Sequence, residues 1–184
     1  MYLAEINDNY GFDKDDNGNY YLMRDDYYDQ KLQNTSIENL YVSKSRIWHC
    51  IFNKVILNNA IFHENDIMWT SFSYSSIVNT RISHVCYSAC VFTHCNFVNC
   101  VLNSVEFFNC LFYNGELAQT GSSNVFYNSC LFREYKFNSI KLNKCKFRNC
   151  HFEKSTRINS PIGFYQSFFQ DIGKIDLSGE PCRG

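Results

Sequence analysis

The sequence has little of what most catalytic or secreted scaffolds need. It holds two prolines, eight glycines, three methionines and two tryptophans in 184 residues. The glycines are scattered, so no Gly-rich phosphate-cradling loop can be drawn. No apolar run approaches the roughly 18 residues of a membrane-spanning helix. The start Met1-Tyr2-Leu3-Ala4-Glu5 has neither a basic region nor an apolar core, so no secretory signal is expected. Neither charge sign dominates: the net charge is −1, which argues against a generally basic nucleic-acid binder and a generally acidic mimic. What is abundant is aromatic carbon, with seventeen Phe and thirteen Tyr, and that excludes a disordered chain. The length fits one domain with a real core.

The apolar residues recur with period five. Stepping by five from Leu32 to Phe152 reaches twenty-five positions, and all but Ser122 are large and apolar. The register holds even through the polar stretch Thr120-Gly121-Ser122-Ser123-Asn124. The position two before each large residue takes small ones, among them Val55, Ala60, Thr70, Ser75 and Val105. Eight of the ten cysteines fall there, leaving only Cys86 and Cys182 elsewhere. Free cysteine behaves as a small hydrophobe, so the cysteines read as filler in a reducing compartment, not as a disulfide framework.

Neither a helix nor an ordinary strand has period five. The pattern fits a coil with one pentapeptide per side and four sides per turn. Segments such as Cys95-Asn96-Phe97-Val98-Asn99 and Cys90-Val91-Phe92-Thr93-His94 resemble the pentapeptide-repeat family. The residue before the large one is often Ile, Val, Lys or Leu, where the family prefers Asp or Asn. The resemblance implies an all-β fold, a right-handed quadrilateral β-solenoid. The expected organisation is an N-terminal hairpin cap over 1–30, the solenoid over 31–157, and a helical cap and tail over 158–184. Coils should stack at roughly 4.8 Å, giving a rod about 30 Å long that needs capped ends.

Asn17-Gly18 between aromatic runs predicts the N-terminal hairpin turn. Asp13, Asp15, Asn17 and Gly18 also resemble the opening of a calcium loop, but Arg24 stands where that loop needs a bidentate Glu, and the turn is the better reading. Ser160 as N-cap, Pro161 at the first helical position, and Tyr165, Phe168, Phe169 and Ile172 on one face predict a short C-terminal helix stopped by Gly173. Such a helix would plug the last coil or join two copies.

Catalysis needs a base held beside a nucleophile in a pocket, and a coil filled by its own repeat offers none. His49, His63, His84, His94 and His151 face solvent by phase, while the neighbouring Cys50 and Cys95 point inward. A zinc site from Cys90, Cys95, Cys100 and His94 is disfavoured, because successive slots face the core at diverging angles. No enzyme activity, cofactor or metal is expected.

The outward positions are more informative. Ile51, Ser71, Val91, Leu111, Leu131 and His151 line one face, four of them apolar. Trp48, Met68, Trp69 and Phe108 also point outward, around the fourth side. Exposed apolar stripes mark contact surfaces, and Trp is enriched at interface hot spots; the Trp48 group could instead seat a folded-back terminus. Residues 1–30 carry −6. Residues 131–157 carry +6, with Lys141, Lys146 and Arg148 among the cations, and could steer an acidic partner. The expected function is protein binding, foremost a cytoplasmic bacterial immunity protein that neutralises a toxin, monomeric or dimeric through its C-terminal segment. The alternatives are a gyrase-protecting DNA mimic of the quinolone-resistance type and a secreted effector or scaffold. The basic distal coils count against the mimic.

Overall fold

The computed structural model describes residues 12–153, 156–159, 163–165 and 168–170. They form an all-β solenoid of about seven turns, with no helix among the described residues. Each pentapeptide contributes a short strand, and each strand pairs in parallel with the one a turn away: Phe72 sits between Phe52 and Phe92, Ile82 between Phe62 and Leu102. Four faces result. The first carries Leu32 to Phe152, the second Ile37 to Phe137, the third Val42 to Leu142, and the fourth Ile47 to Phe147. The first two share one sheet, because Lys31–Glu38 and Ile51–Asn58 run as continuous strands from one face to the next.

The period-five residues are the core. In-register stacking puts like on like, so the first face holds a column of nearly parallel rings: Phe52–Phe72 at 4.7 Å, Phe72–Phe92 at 5.1 Å, Phe92–Phe112 at 4.9 Å. The fourth face holds a second column through Tyr87, Phe107, Tyr127 and Phe147. The two columns meet edge to face across the rod, as Phe92 and Phe107 do at 6.2 Å and 75°. Both geometries suit the ring quadrupole.

The small slot has a second requirement besides size. Thr70, Ser75, Thr80 and Thr120 each donate a hydroxyl hydrogen bond to the carbonyl two residues earlier, at 2.9–3.0 Å. The Cys90, Cys110, Cys130 and Cys150 thiols do the same at 3.4–3.5 Å, and each also reaches a carbonyl of the coil below. A residue here must be small, and a weak donor is useful, which is why Cys, Ser and Thr share the position with Val and Ala. Burial pushes the Cys100 thiol up to about 11 and the Cys95 thiol up to about 12, so both stay protonated at neutral pH, and Cys100 donates to the Val98 and Ile77 carbonyls.

The chain turns at every corner through a residue with positive φ. From Arg24 to Asn149, every fifth residue has φ between 48° and 57°, and none of the 26 is glycine. That conformation is disfavoured for most L-residues and least so for Asn. The second-to-third-face corner accordingly stacks Asn39, Asn59, Asn79 and Asn99, with side-chain bonds of 2.6 Å from Asn59 to Asn39 and 2.7 Å from Asn99 to Asn79.

The N-terminal hairpin forms as expected. Asp13–Lys14 pairs antiparallel with Tyr20–Met23, and Gly18 takes φ 80° in the turn. Asp15 organises that turn: its carboxylate accepts bonds from the Asn19 side chain and from the Asn17 and Asn19 backbone, all at 2.9 Å. The Asn19 side-chain bond is the main cause that holds its pKa below the usual carboxylate range.

The repeat extends beyond the 31–157 boundary at both ends. Leu22 pairs with Val42 and Tyr27 with Ile47, so the first coil begins at Tyr20, and Phe12 stacks on Tyr27 at 5.0 Å. At the other end the expected helix is corrected to strands. Arg157–Asn159, Gly163–Tyr165 and Phe168–Gln170 extend three faces, with Ile158 opposite Phe137, Phe164 opposite Leu142, and Phe169 opposite Phe147. The partner separation grows from 20 to 21 and then 22 residues, so two single-residue insertions break the period without ending the coil. The open edge of the preceding strands offers backbone partners that a helix would leave unpaired. Ser160, Pro161, Ile172 and Gly173 lie outside the described residues.

Candidate functional site

The outer surface is built from three positions per pentapeptide: the residues before and after the large one, and the corner. On the first face the leading column runs Ile51, Ser71, Val91, Leu111, Leu131 and His151, each paired in register with the next. Ile51 is 42% exposed, and Val91, Leu111 and Leu131 are half-buried against one another. Ile56, Ile61 and Val101 are exposed on other faces; Ile56 lies between serines and Val101 between Arg81 and Gly121, while Ile61 lies between Tyr41 and Arg81. The first face stacks Val91, Leu111 and Leu131 in succession in its leading column, while the second face stacks Val78, Val98 and the buried Ala118, and the fourth Tyr28, Trp48 and Met68, in their trailing columns.

The Trp48 group adjoins this column across one corner. Trp48, Met68, Phe108 and Arg148 share the trailing column of the fourth face, and Trp69 stands on the corner between that column and Ile51. The two groups therefore flank one edge of the rod, with Ser71 and Ser88 interrupting the apolar columns. Trp69 stacks on His49 at 5.1 Å, and His49 lies at 6.4 Å from Trp48. Tyr28 meets Trp48 edge-on at 6.2 Å, and the Arg46 guanidinium covers the Trp48 ring at 5.6 Å. Arg46 is itself held by a bidentate pair with Asp26, at 2.7 and 2.8 Å. Tyr28 of the first coil and Arg46 beside it on its own strand thus cover Trp48 in part, while Trp69 and Phe108 stay exposed.

The cations do not gather at this edge. Lys141 lies on the third face, Lys146 and Arg148 on the fourth, and Lys136 on the second, so the positive charge rings the distal end. Arg148 alone of the three singled-out cations continues the Trp48 column.

A second ladder escaped the sequence reading. Tyr74, His94, Tyr113, Arg133 and Glu153 climb the first-to-second-face edge: Tyr74–His94 at 4.5 Å, His94–Tyr113 at 5.9 Å, Arg133 over Tyr113 at 5.5 Å, and Arg133 to Glu153 at 3.2 Å. It passes from corner to trailing positions between His94 and Tyr113, so no single phase of the repeat reveals it. Among the described residues no group of three His, Cys, Asp or Glu side chains is arranged to hold a metal, and no helix is long and apolar enough to cross a membrane.

The one-pentapeptide-per-face coil, with inward small and large positions, is the architecture of the pentapeptide-repeat proteins. No family model and no curated protein matches the sequence. Among solved structures, HetL is similar over 83% of this chain and 86% of its own, at 9% identity and a TM-score of 0.48. HetL is a pentapeptide repeat protein involved in heterocyst differentiation regulation, from the cyanobacterium Nostoc sp. strain PCC 7120. QnrB1, a plasmid-mediated fluoroquinolone resistance protein, matches over 83% of this chain and 88% of its own, at 14% identity and a TM-score of 0.30. These values say nothing about what this chain binds.

Proposed function

We propose that the protein is a non-catalytic binder that neutralises a bacterial toxin in the cytoplasm by occupying it, with the first face and its adjoining Trp69 corner as the contact. The observation that supports this reading is the in-register run Val91, Leu111, Leu131, with Ile51 beyond Ser71 in the same column and exposed Trp69 and Phe108 beside it. Contiguous exposed apolar area of this kind is costly to leave in water and marks contact surfaces. The ring of distal cations would speed encounter with an acidic partner without fixing which face it lands on.

The test is affinity capture from the native host, with the parent chain and with a Val91→Asp/Leu111→Asp double variant. Both side chains point outward, so the variant should fold. The parent should retain a toxin domain and the folded variant should lose at least about 100-fold in affinity, since two hot-spot losses of roughly 2 kcal/mol each are ample. Equal retention by both would show the wrong face has been chosen. Recovery of gyrase subunits and no toxin would replace this reading with topoisomerase protection.

A further inference from the structure

The outward residues of the first face are complementary to themselves in reverse. Val91 and Thr93 occupy one coil near the middle of the described solenoid. One coil toward the N terminus the same two columns hold Ser71 and Ser73; one coil toward the C terminus they hold Leu111 and Tyr113. Two coils out, Ile51 balances Leu131. At the adjoining corner, two coils either side of His94, stand Lys54 and Glu134. In these positions small stands opposite large, apolar opposite apolar, and cation opposite carboxylate, while one coil either side of His94 the exposed Tyr74 stands opposite Asn114.

A two-fold axis parallel to this face and running along the strand direction over Val91 brings each column against itself in the opposite direction. Leu111 of one copy then fills the space over Ser71 of the other, and Tyr113 the space over Ser73. Ile51 meets Leu131, Lys54 meets Glu134, and Val91 meets its own equivalent. We propose that the free chain is a weak homodimer joined antiparallel through the first face. The interface is isologous and closes on itself, so it does not propagate into fibres. The same operation on the fourth face, centred at Cys86, would oppose Asp66 to Glu106, two exposed carboxylates. On the second face, centred at Asn96, it would oppose Ile56 to Lys136. On the third face, centred at Arg81, it would match Ile61 to Val101 and Tyr41 to Gly121 but set two Arg81 guanidinium groups against each other.

Sheets packed face to face cross at about 30°, so contact is confined to the coils from Ile51 to Leu131. At roughly 4.8 Å per coil that is about 20 Å of rod. The interface falls below the standard size of about 1,200–2,000 Å², in the range of weak and transient contacts, so association is sought around a Kd on the order of 10 µM. The dimer would hide the face assigned above to the partner, so partner binding and self-association compete.

Sedimentation velocity on the full purified chain, from about 1 to 100 µM around that Kd, tests this without any partner. The apparent mass should climb from 21.7 kDa toward twice that value. Val91→Arg places two like charges on the axis and should leave a folded monomer throughout, with folding checked by circular dichroism. Lys54→Glu should weaken association about five-fold, an exposed-pair effect, and adding Glu134→Lys should restore it. A monomer at every concentration, a dimer indifferent to Val91→Arg, or species larger than dimer would each overturn the proposal. Capture of a toxin by a strictly monomeric chain would overturn the dimer alone and leave the proposed function standing.

Discussion

Replacing Gly115 by alanine should destabilise the solenoid by about 3 kcal/mol or more, on the scale of severe steric overpacking. A Cβ added there would collide with the Cys95 carbonyl oxygen of the coil below and lie 2.9 Å from the Cys95 carbonyl carbon and nitrogen. Those atoms are backbone, so they cannot rotate aside. The Cys95 carbonyl accepts the Glu116 amide at 3.1 Å, and the Gly115 carbonyl accepts the Lys136 amide at 3.0 Å. Any relief must therefore strain two rungs of the second face. Gly121→Ala is the internal control. Nothing lies within 4 Å of a Cβ there, and no positive φ is involved, so the change should be neutral or stabilise by up to about 1 kcal/mol. Chemical denaturation of both variants beside the parent, followed by circular dichroism, measures the difference. Equal stability of the two variants would contradict the geometry.

The second large effect centres on Tyr135, which occupies a slot that elsewhere on the same edge holds Thr35, Val55, Ser75 and Cys95. Its ring lies 5.4 Å from Phe112 and 5.5 Å from Phe137, wholly buried. The coil below is short of volume in two places: Gly115 in a small slot and Ser122 in a large one. Close packing requires that volume to be returned, and the tyrosine returns it. Tyr135→Ala should therefore cost about 3–5 kcal/mol. Tyr135→Phe should do the opposite. Among the described residues the buried hydroxyl has no hydrogen-bond partner, and burial holds the phenol pKa well above its usual value. Deleting it removes a desolvation cost of about 1–2 kcal/mol. Loss of stability in Tyr135→Phe would mean that the hydroxyl is satisfied in solution.

Most of the fold was legible because the period acts at every residue. Each large apolar position from Leu32 to Phe152 proved to be inward, and Leu22 and Tyr27 continue the same count by steps of five. The cysteines looked like chemistry until the slot explained them. The C-terminal strands were not legible, because single insertions before Ile158 and before Phe164 destroy the phase, and Tyr165, Phe168 and Phe169 also satisfy helical spacing. The recognition surface was half legible. Ile51, Val91, Leu111 and Leu131 share a phase and could be found by counting. That Trp69 adjoins them across a corner, and that Lys141 does not, depends on which positions turn the chain. The Tyr74-to-Glu153 ladder crosses phases, so only coordinates reveal it.

The central claim is that this rod works by presenting its first face to another protein. A photo-crosslinking residue placed at Leu111, and separately at Lys141 on the third face, in cells of the native host, tests that claim most directly. The account predicts a covalent adduct with a heterologous protein from position 111 and none from position 141. An adduct from position 141 alone, or no heterologous adduct from position 111, would contradict it.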